Sequence, residues 1–181
     1  MIRVLASLLT SLLLVSTTAF AAGPAAPAPA IASAGAFHAL PHAAYQPVRG
    51  ATYKAIFGLT KGAEQPSQIN PGLERVARTV NLYTHAGVPL SHLKFVAIAS
   101  GTATPIALND EQYRKKFGVA NPNLPVIAEL RKVGVDIAVC GQALAEHDFQ
   151  NDWVDPRVTL ALSALTTMIE LQQQGYALIP M

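Results

Sequence analysis

The sequence predicts an α/β fold, a three-layer sandwich with a mainly parallel sheet between layers of helices. Short apolar runs end near residues 59, 100 and 140, and apolar residues at helical spacing fill the segments between these runs. Strands that alternate with helices are joined by right-handed crossovers, which make the strands parallel. The runs are apolar at consecutive positions, which is typical of strands covered on both faces. Residues 50–181 have the length of one domain.

The first half of the domain contains two predicted strands and one long helix. Residues 53–59 are short, bulky and apolar, as a buried strand is. Asn70 and Pro71 then supply a cap and a first helical position, and Gly87 ends the helix. The continuous apolar block within residues 92–100 predicts the second strand.

The second half continues the alternation. The spacing predicts helices over residues 110–117 and 124–133, a third strand over 135–140 and a last strand over 176–179. Asp155 and Pro156 predict the start of the last helix, which runs to Leu171. This helix is apolar nearly all round, which indicates that it is buried by more than the sheet and forms a subunit interface. A homo-oligomer is therefore expected.

The first 21 residues have the pattern of a cleavable secretory signal. Arg3 precedes an apolar run over residues 4–15, and Ala19 and Ala21 form the small-x-small pattern that signal peptidase recognises. The run is shorter than the roughly 20 residues that a transmembrane span needs. We therefore expect cleavage after Ala21, a periplasmic or secreted protein, and no membrane association after cleavage.

Residues 22–49 are rich in alanine and proline and poor in large apolar side chains, which predicts a disordered linker. The sequence has thirteen Lys and Arg, one of them Arg3 of the signal, against eleven Asp and Glu. This near balance provides no field for a polyanion, so nucleic acid is not expected as a partner.

Cys140 is the only cysteine of the chain, so no internal disulfide can form. In an exported protein the thiol is a buried inert group, an intermolecular link or a reactive group. It follows an apolar block, as a small core residue does. It also ends a strand before a predicted helical turn, where free backbone N–H groups favour the thiolate. The sequence pattern leaves these alternatives open.

Four residues at the carboxyl ends of the predicted strands are candidate ligand-binding residues, because ligands of parallel sheets bind at this edge. Gly101 and Thr102 follow the second strand, and Gly141 and Gln142 follow Cys140. Backbone N–H groups at the glycines and the Gln142 amide are suited to hold a small anion. Ordinary strand-to-helix connections explain the same residues equally well.

His147 is close enough in sequence to assist the Cys140 thiol if the loop folds back, although a surface histidine is the commoner outcome. The five histidines lack the spacing of a zinc site, so no metal is assigned. No glycine-rich nucleotide motif is present in the sequence, and no cofactor is expected.

The chain from residue 75 to residue 180 resembles the DsrE/DsrF-like family of small sulfur-handling proteins. The resemblance rests on residues 75–88, 95–100, 121–125, 139–143 and 161–180, of which the Cys140-Gly141-Gln142 block is the most telling. It implies a flavodoxin-like α/β sandwich, usually a homo-oligomer, whose cysteine after the third strand carries a persulfide in sulfur relay. That role falls on Cys140 alone. Sulfur donor and acceptor proteins are the partners it implies.

The chain departs from the family pattern at one position. Exported relatives often have His-Gly at the end of the second strand, where this chain has Ser100-Gly101. Any histidine that assists the thiol is therefore absent here or comes from elsewhere. The expected activity is at most that of a sulfur carrier or a sulfurtransferase-like protein. The alternative is a non-catalytic module that binds a small ligand or forms oligomers, with Cys140 only lining the pocket.

Overall fold

A computed structural model describes residues 28–181 of the chain. The predicted signal, residues 1–21, and the first part of the predicted linker, residues 22–27, lie outside the described residues. The described part contains a five-stranded parallel sheet in the order β4-β3-β2-β1-β5. The strands are β1 (Tyr53–Leu59), β2 (Leu93–Ala99), β3 (Asp136–Cys140), β4 (Thr159–Ala161) and β5 (Ala177–Pro180).

Helices cover both faces of this sheet, so the predicted three-layer α/β sandwich is confirmed. Side chains alternate between the faces along each strand. Phe57 and Phe95 belong to the large core beneath α1 and α3, whereas Ile56 and Ile98 belong to a smaller cluster beneath α5. The helices are α1 (Pro71–His85), α2 (Asp110–Phe117), α3 (Leu124–Lys132), α4 (Gly141–Glu146) and α5 (Ala164–Gln173). None of the helices in residues 28–181 is long and apolar enough to cross a membrane.

Local capping chemistry explains where the first helices begin and end. The Asn70 side chain accepts hydrogen bonds from the N–H groups of Gly72 and Leu73 at the start of α1. The Asn109 side chain caps α2 in the same way, and Gly118, with a φ of 75°, ends it. These contacts satisfy N–H groups that have no partner within the helix. The predictions for these two helices are confirmed.

The last helix begins later than the sequence predicts. Asp155 and Pro156 were expected to start it, but residues 159–161 form strand β4, paired with β3 at the sheet edge. Ser163 is the actual cap, and its hydroxyl accepts the Leu165 N–H. Strand β4 is stabilised by pairing with β3, a segment distant in sequence. The spacing of apolar residues within 155–171 could therefore not reveal this strand.

Part of the segment predicted as a linker, residues 22–49, packs against the domain. Residues 30–37, here called the N-terminal arm, pack in the groove between α1 and α3. Ile31 is buried and belongs to the main core. The arm has too few apolar groups to form a core of its own, but a single isoleucine can join a core that the domain has already built.

Asp155 stabilises the bend that leads into β4. Its buried carboxylate accepts hydrogen bonds from the Arg157 guanidinium at 2.7 and 2.8 Å, and its own N–H donates to the Ala107 carbonyl at 2.8 Å. The hydrogen bonds from Arg157 hold the pKa of the Asp155 carboxyl below its usual value. The ionised carboxylate therefore adds stability above the unfolded-state pKa of about 3.9, and this stability is lost as the pH falls through the lower, folded-state pKa.

We expect Asp155→Asn to lower the free energy of unfolding at neutral pH by about 1–3 kcal/mol, because it removes a charge-assisted hydrogen bond from a buried acceptor. The difference from wild type should shrink in acid, once the wild-type carboxyl is protonated. Denaturant unfolding measured across acidic pH checks this. Asp152→Asn, at an exposed neighbouring position, is the matched control. If the free energy of unfolding of Asp155→Asn depended on pH as that of wild type does, the ionised Asp155 carboxylate would not be the stabilising group.

Candidate functional site

Cys140 lies at the carboxyl end of β3 and is also the cap of α4. Its Sγ accepts a hydrogen bond from the Ala143 N–H at 3.4 Å. The side chain points to the α5 face of the sheet, because it shares the strand alternation of Ala138. Only 5 % of the residue is exposed. The thiol therefore combines a backbone N–H donor with an almost complete cover.

The cover of the thiol is apolar. Cys140 belongs to one buried cluster with Ile56, Ile98, Ala138, Ala143 and Ala164. Ala164 is the first residue of α5, so the start of this helix belongs to the surroundings of the thiol. None of these five residues was predicted to belong to the site. The alternation of side chains along the strands was the available signal, but it does not say which face α5 covers.

Gly141 and Gln142 connect the thiol segment to the end of β4. A Cβ atom on Gly141 would lie 2.9 Å from the Ala161 carbonyl oxygen, so only glycine permits this close approach. The Gln142 amide donates to the Leu162 carbonyl oxygen at 3.2 Å. The side-chain donor that was predicted to bind an anion therefore holds the loop before α5.

Thr102 lies on the side of the β1 loop rather than beside the thiol. Its hydroxyl donates to the Thr60 carbonyl oxygen at 3.2 Å and accepts the Gly62 N–H at 2.9 Å. Gly101 begins the 3₁₀ helix Gly101–Ala107 with a φ of 53°. The four predicted ligand residues thus share one sheet edge but divide into two groups, with Gly141 and Gln142 next to Cys140 and Gly101 and Thr102 at the end of β2.

His147 links these two groups. Its Nε2 lies 2.9 Å from the Gly101 carbonyl oxygen, and since a carbonyl only accepts, Nε2 donates. The ring stacks on Phe149, with 5.4 Å between ring centroids. A histidine of the α4 end therefore lies at the end of β2, beside Ser100-Gly101. No hydrogen bond of the described residues joins it to the Cys140 sulfur.

A cleft of about 200 Å³ opens beside Thr102. It lies between the loop after β1 and helix α2, whose Tyr113 hydroxyl donates to the Pro66 carbonyl oxygen at 2.8 Å. Burial raises the pKa of Tyr113. The buried Asn70 and Asn123 also line the cleft, and the Asn70 N–H donates to Asn123 Oδ1 at 2.8 Å. These asparagines hold the loops that border the cleft, which the sequence did not single out.

Comparisons with known proteins agree with this architecture. A family model described as the DsrE/DsrF-like family matches residues 54–181. A solved protein of unknown function from Methanobacterium thermoautotrophicum is similar in fold, with a TM-score of 0.52 and 18 % sequence identity. The similarity covers 71 % of this chain and 99 % of that protein. No significant match was found among curated protein sequences.

Proposed function

Because the chain belongs to the DsrE/DsrF-like family, which is linked to sulfur relay, we propose that it carries sulfane sulfur as a persulfide on Cys140. One observation carries the proposal. The chain's single cysteine caps a helix at the carboxyl end of a parallel strand, and its sulfur accepts a backbone hydrogen bond. Ligands of parallel sheets bind at this edge, so the thiol occupies a position suited to chemistry.

The surroundings of the thiol are suited to a protected sulfur carrier rather than to a thiol that reacts with any reagent in solution. The Ala143 N–H points at the sulfur and remains a hydrogen-bond donor to Sγ throughout the proposed cycle. The apolar cover excludes water and limits contact with bulky oxidants, which an exported thiol needs in an oxidising compartment. The low exposure favours a small sulfur donor, such as a polysulfide or a low-molecular-weight persulfide.

The proposed transfer is a thiol exchange in two steps. The Cys140 thiolate attacks the sulfane sulfur of the donor, and a new S–S bond forms at Sγ. The rest of the donor leaves with the electron pair of its broken S–S bond, as a thiolate from a persulfide or as a shorter polysulfide anion from a polysulfide. A thiolate of the acceptor then attacks the outer sulfur of the persulfide, and Cys140 leaves as the thiolate. No external oxidant or reductant is consumed. The donor and the acceptor are the partners of this cycle.

Mass spectrometry of the polysulfide-treated protein tests this function. The expected result is one or more added sulfur atoms on the peptide that contains Cys140, removed again by an excess of a small thiol. A protein that gains no sulfur at any dose of polysulfide is not a sulfur carrier. Peptide mapping is needed, because the added mass alone does not locate the sulfur.

We also propose that the protein acts outside the cytoplasm, since residues 1–21 have the pattern of a cleavable signal. Expression in a bacterial host should give a protein in the periplasmic fraction whose first residue is Ala22. N-terminal sequencing of that fraction measures it. A matched variant with Ala19 and Ala21 changed to arginine should keep the longer N-terminus. A wild-type protein that retains Met1 in the cytoplasmic fraction would contradict export.

We further propose that the protein is a homo-oligomer, assembled through α5. Only Ala164 of this helix is buried, whereas Leu165 is 72 % exposed and Ile169 is 54 % exposed. Leu162, just before the helix, is 74 % exposed. Large apolar side chains grouped on one face usually mark an interaction surface. A second copy of the chain would remove this face from water.

A further inference from the structure

The N-terminal arm is recognised almost entirely through its backbone. Glu129 of α3 accepts the N–H groups of Ala32 and Ser33 at 2.7 and 3.1 Å. On α1, Glu74 accepts the Gly35 N–H at 3.2 Å, and Arg78 donates from Nε to the Ala36 carbonyl oxygen at 2.8 Å. Two helices thus present side-chain donors and acceptors to the backbone of a bent, non-helical segment, as a peptide-binding groove does.

Asn81 lies at the centre of this groove, and among residues 28–181 its side chain forms hydrogen bonds only to the arm. It is 1 % exposed, in the interior of α1. Its Oδ1 accepts the Ile31 N–H at 2.8 Å, and its Nδ2 donates to the carbonyl oxygens of Ile31 and Gly35 at 2.9 and 3.1 Å. The Asn81 amide thus offers its acceptor and its donors to the backbone of the arm, and water replaces these partners when the arm leaves.

Two positions of the arm determine which segments fit. Ile31 is the buried side chain, at 1 % exposure. Gly35 has a φ of 76°, and a Cβ atom there would lie 2.5 Å from the backbone of Ala77 and Arg78. The side chains of residues 32 and 33 are exposed. The groove thus selects the pattern Ile-x-x-x-Gly and tolerates other side chains at positions 32 and 33.

The arm is attached by a segment that allows it to leave. Residues 38–46 are exposed, and the Gln46 amide donates only within this segment, to Leu40 and Ala43. Ordering the arm costs conformational entropy at every residue, and one buried isoleucine with a set of hydrogen bonds offsets little more than that cost. Such a segment opens at a low free energy compared with the core.

We propose that the groove between α1 and α3 is a peptide-binding site, and that the arm is its exchangeable ligand. The groove then accepts the same segment, with isoleucine followed four residues later by glycine, from a second copy of the chain. This inference is independent of the proposed sulfur chemistry, because Cys140 belongs to the cluster on the opposite face of the sheet.

A competition experiment tests the exchange. The protein carries a protease site in place of residues 41–46 and is cleaved there, and a fluorescent peptide of residues 28–38 is then added. We expect a rise in anisotropy that unlabelled wild-type and Ser33→Ala peptides reverse equally well. The Gly35→Ala peptide should compete at least about tenfold more weakly, since its Cβ collides with α1. Absence of binding, or equal competition by Gly35→Ala, would overturn the proposal.

Hydrogen exchange in the uncut protein gives a second readout. In Gly35→Ala, the amides of Ile31, Ala32 and Ser33 should exchange at least about tenfold faster than in wild type, because the arm loses its place in the groove. The same amides should be unaffected in Ser33→Ala, the matched control. Equal protection in Gly35→Ala and wild type would show that the groove does not select glycine, and the proposal would fail.

Discussion

Replacing Cys140 with serine is expected to abolish the uptake of sulfur from polysulfide. Serine keeps the size of the side chain and can still accept the Ala143 N–H, so the fold and the α4 cap are preserved. Its hydroxyl cannot form a persulfide. Intact-mass and peptide-mapping spectra of treated wild type and Cys140→Ser provide the measurement, and unchanged thermal unfolding of the variant shows that the loss is chemical.

His147→Ala is the informative companion to this variant. The imidazole donates to the Gly101 carbonyl oxygen and stacks on Phe149, and no described hydrogen bond joins it to the sulfur. We therefore expect His147→Ala to load sulfur within about twofold of the wild-type rate. This is far less than the tenfold or larger loss expected for a group that takes part in the proton transfer. A strong loss of loading in His147→Ala would show that the histidine assists the thiol. Sulfur found on Cys140→Ser would refute Cys140 as the carrier.

The second large effect is expected at the exposed face of α5. The double variant Leu162→Glu with Leu165→Glu should dissociate the proposed oligomer, because two carboxylates would have to leave water without a partner. We expect the dissociation constant to rise by about a hundredfold or more. Sedimentation or light scattering over a range of protein concentration measures the molar mass.

Leu40→Glu is the matched control for this variant. Leu40 is 66 % exposed, close to the exposure of Leu162 and Leu165, but it belongs to the segment after the N-terminal arm. The control should retain the wild-type mass. A wild-type protein that is monomeric at micromolar concentration, or a double variant that keeps its mass, would contradict assembly through α5.

Helix α5 connects these two predictions, since it covers the thiol on one side and carries the exposed Leu165 and Ile169 on the other. Ala164 packs in the cluster that contains Cys140, whereas Leu165 points to solvent. The rate of sulfur loading in the double variant therefore shows whether assembly affects access to the thiol. Unchanged loading would show that one chain forms the complete thiol environment, and faster loading would show that the second copy restricts access to it.

The sequence alone determined those parts of the fold that depend on neighbours along the chain. The apolar runs of β1, β2 and β3, the Asn70 and Pro71 start of α1, and the ends of α2 were predictable, because strands, caps and turns follow local chemistry. The position of Cys140 at the carboxyl edge of the sheet followed from the same reasoning. The resemblance to the DsrE/DsrF-like family added a chemical role that the pattern itself left open.

Only the tertiary structure decided the features that depend on distant segments. Residues 159–161 became a strand because β3 offered an edge to pair with, and residues 30–37 became ordered because α1 and α3 present Asn81 and Glu129 to their backbone. The direction of Thr102 away from the thiol, and of His147 toward Gly101, is set by contacts across the sheet edge. Hydrogen bonds and burial between segments far apart in sequence leave no periodic trace in either segment, and for this reason local patterns could not reveal them.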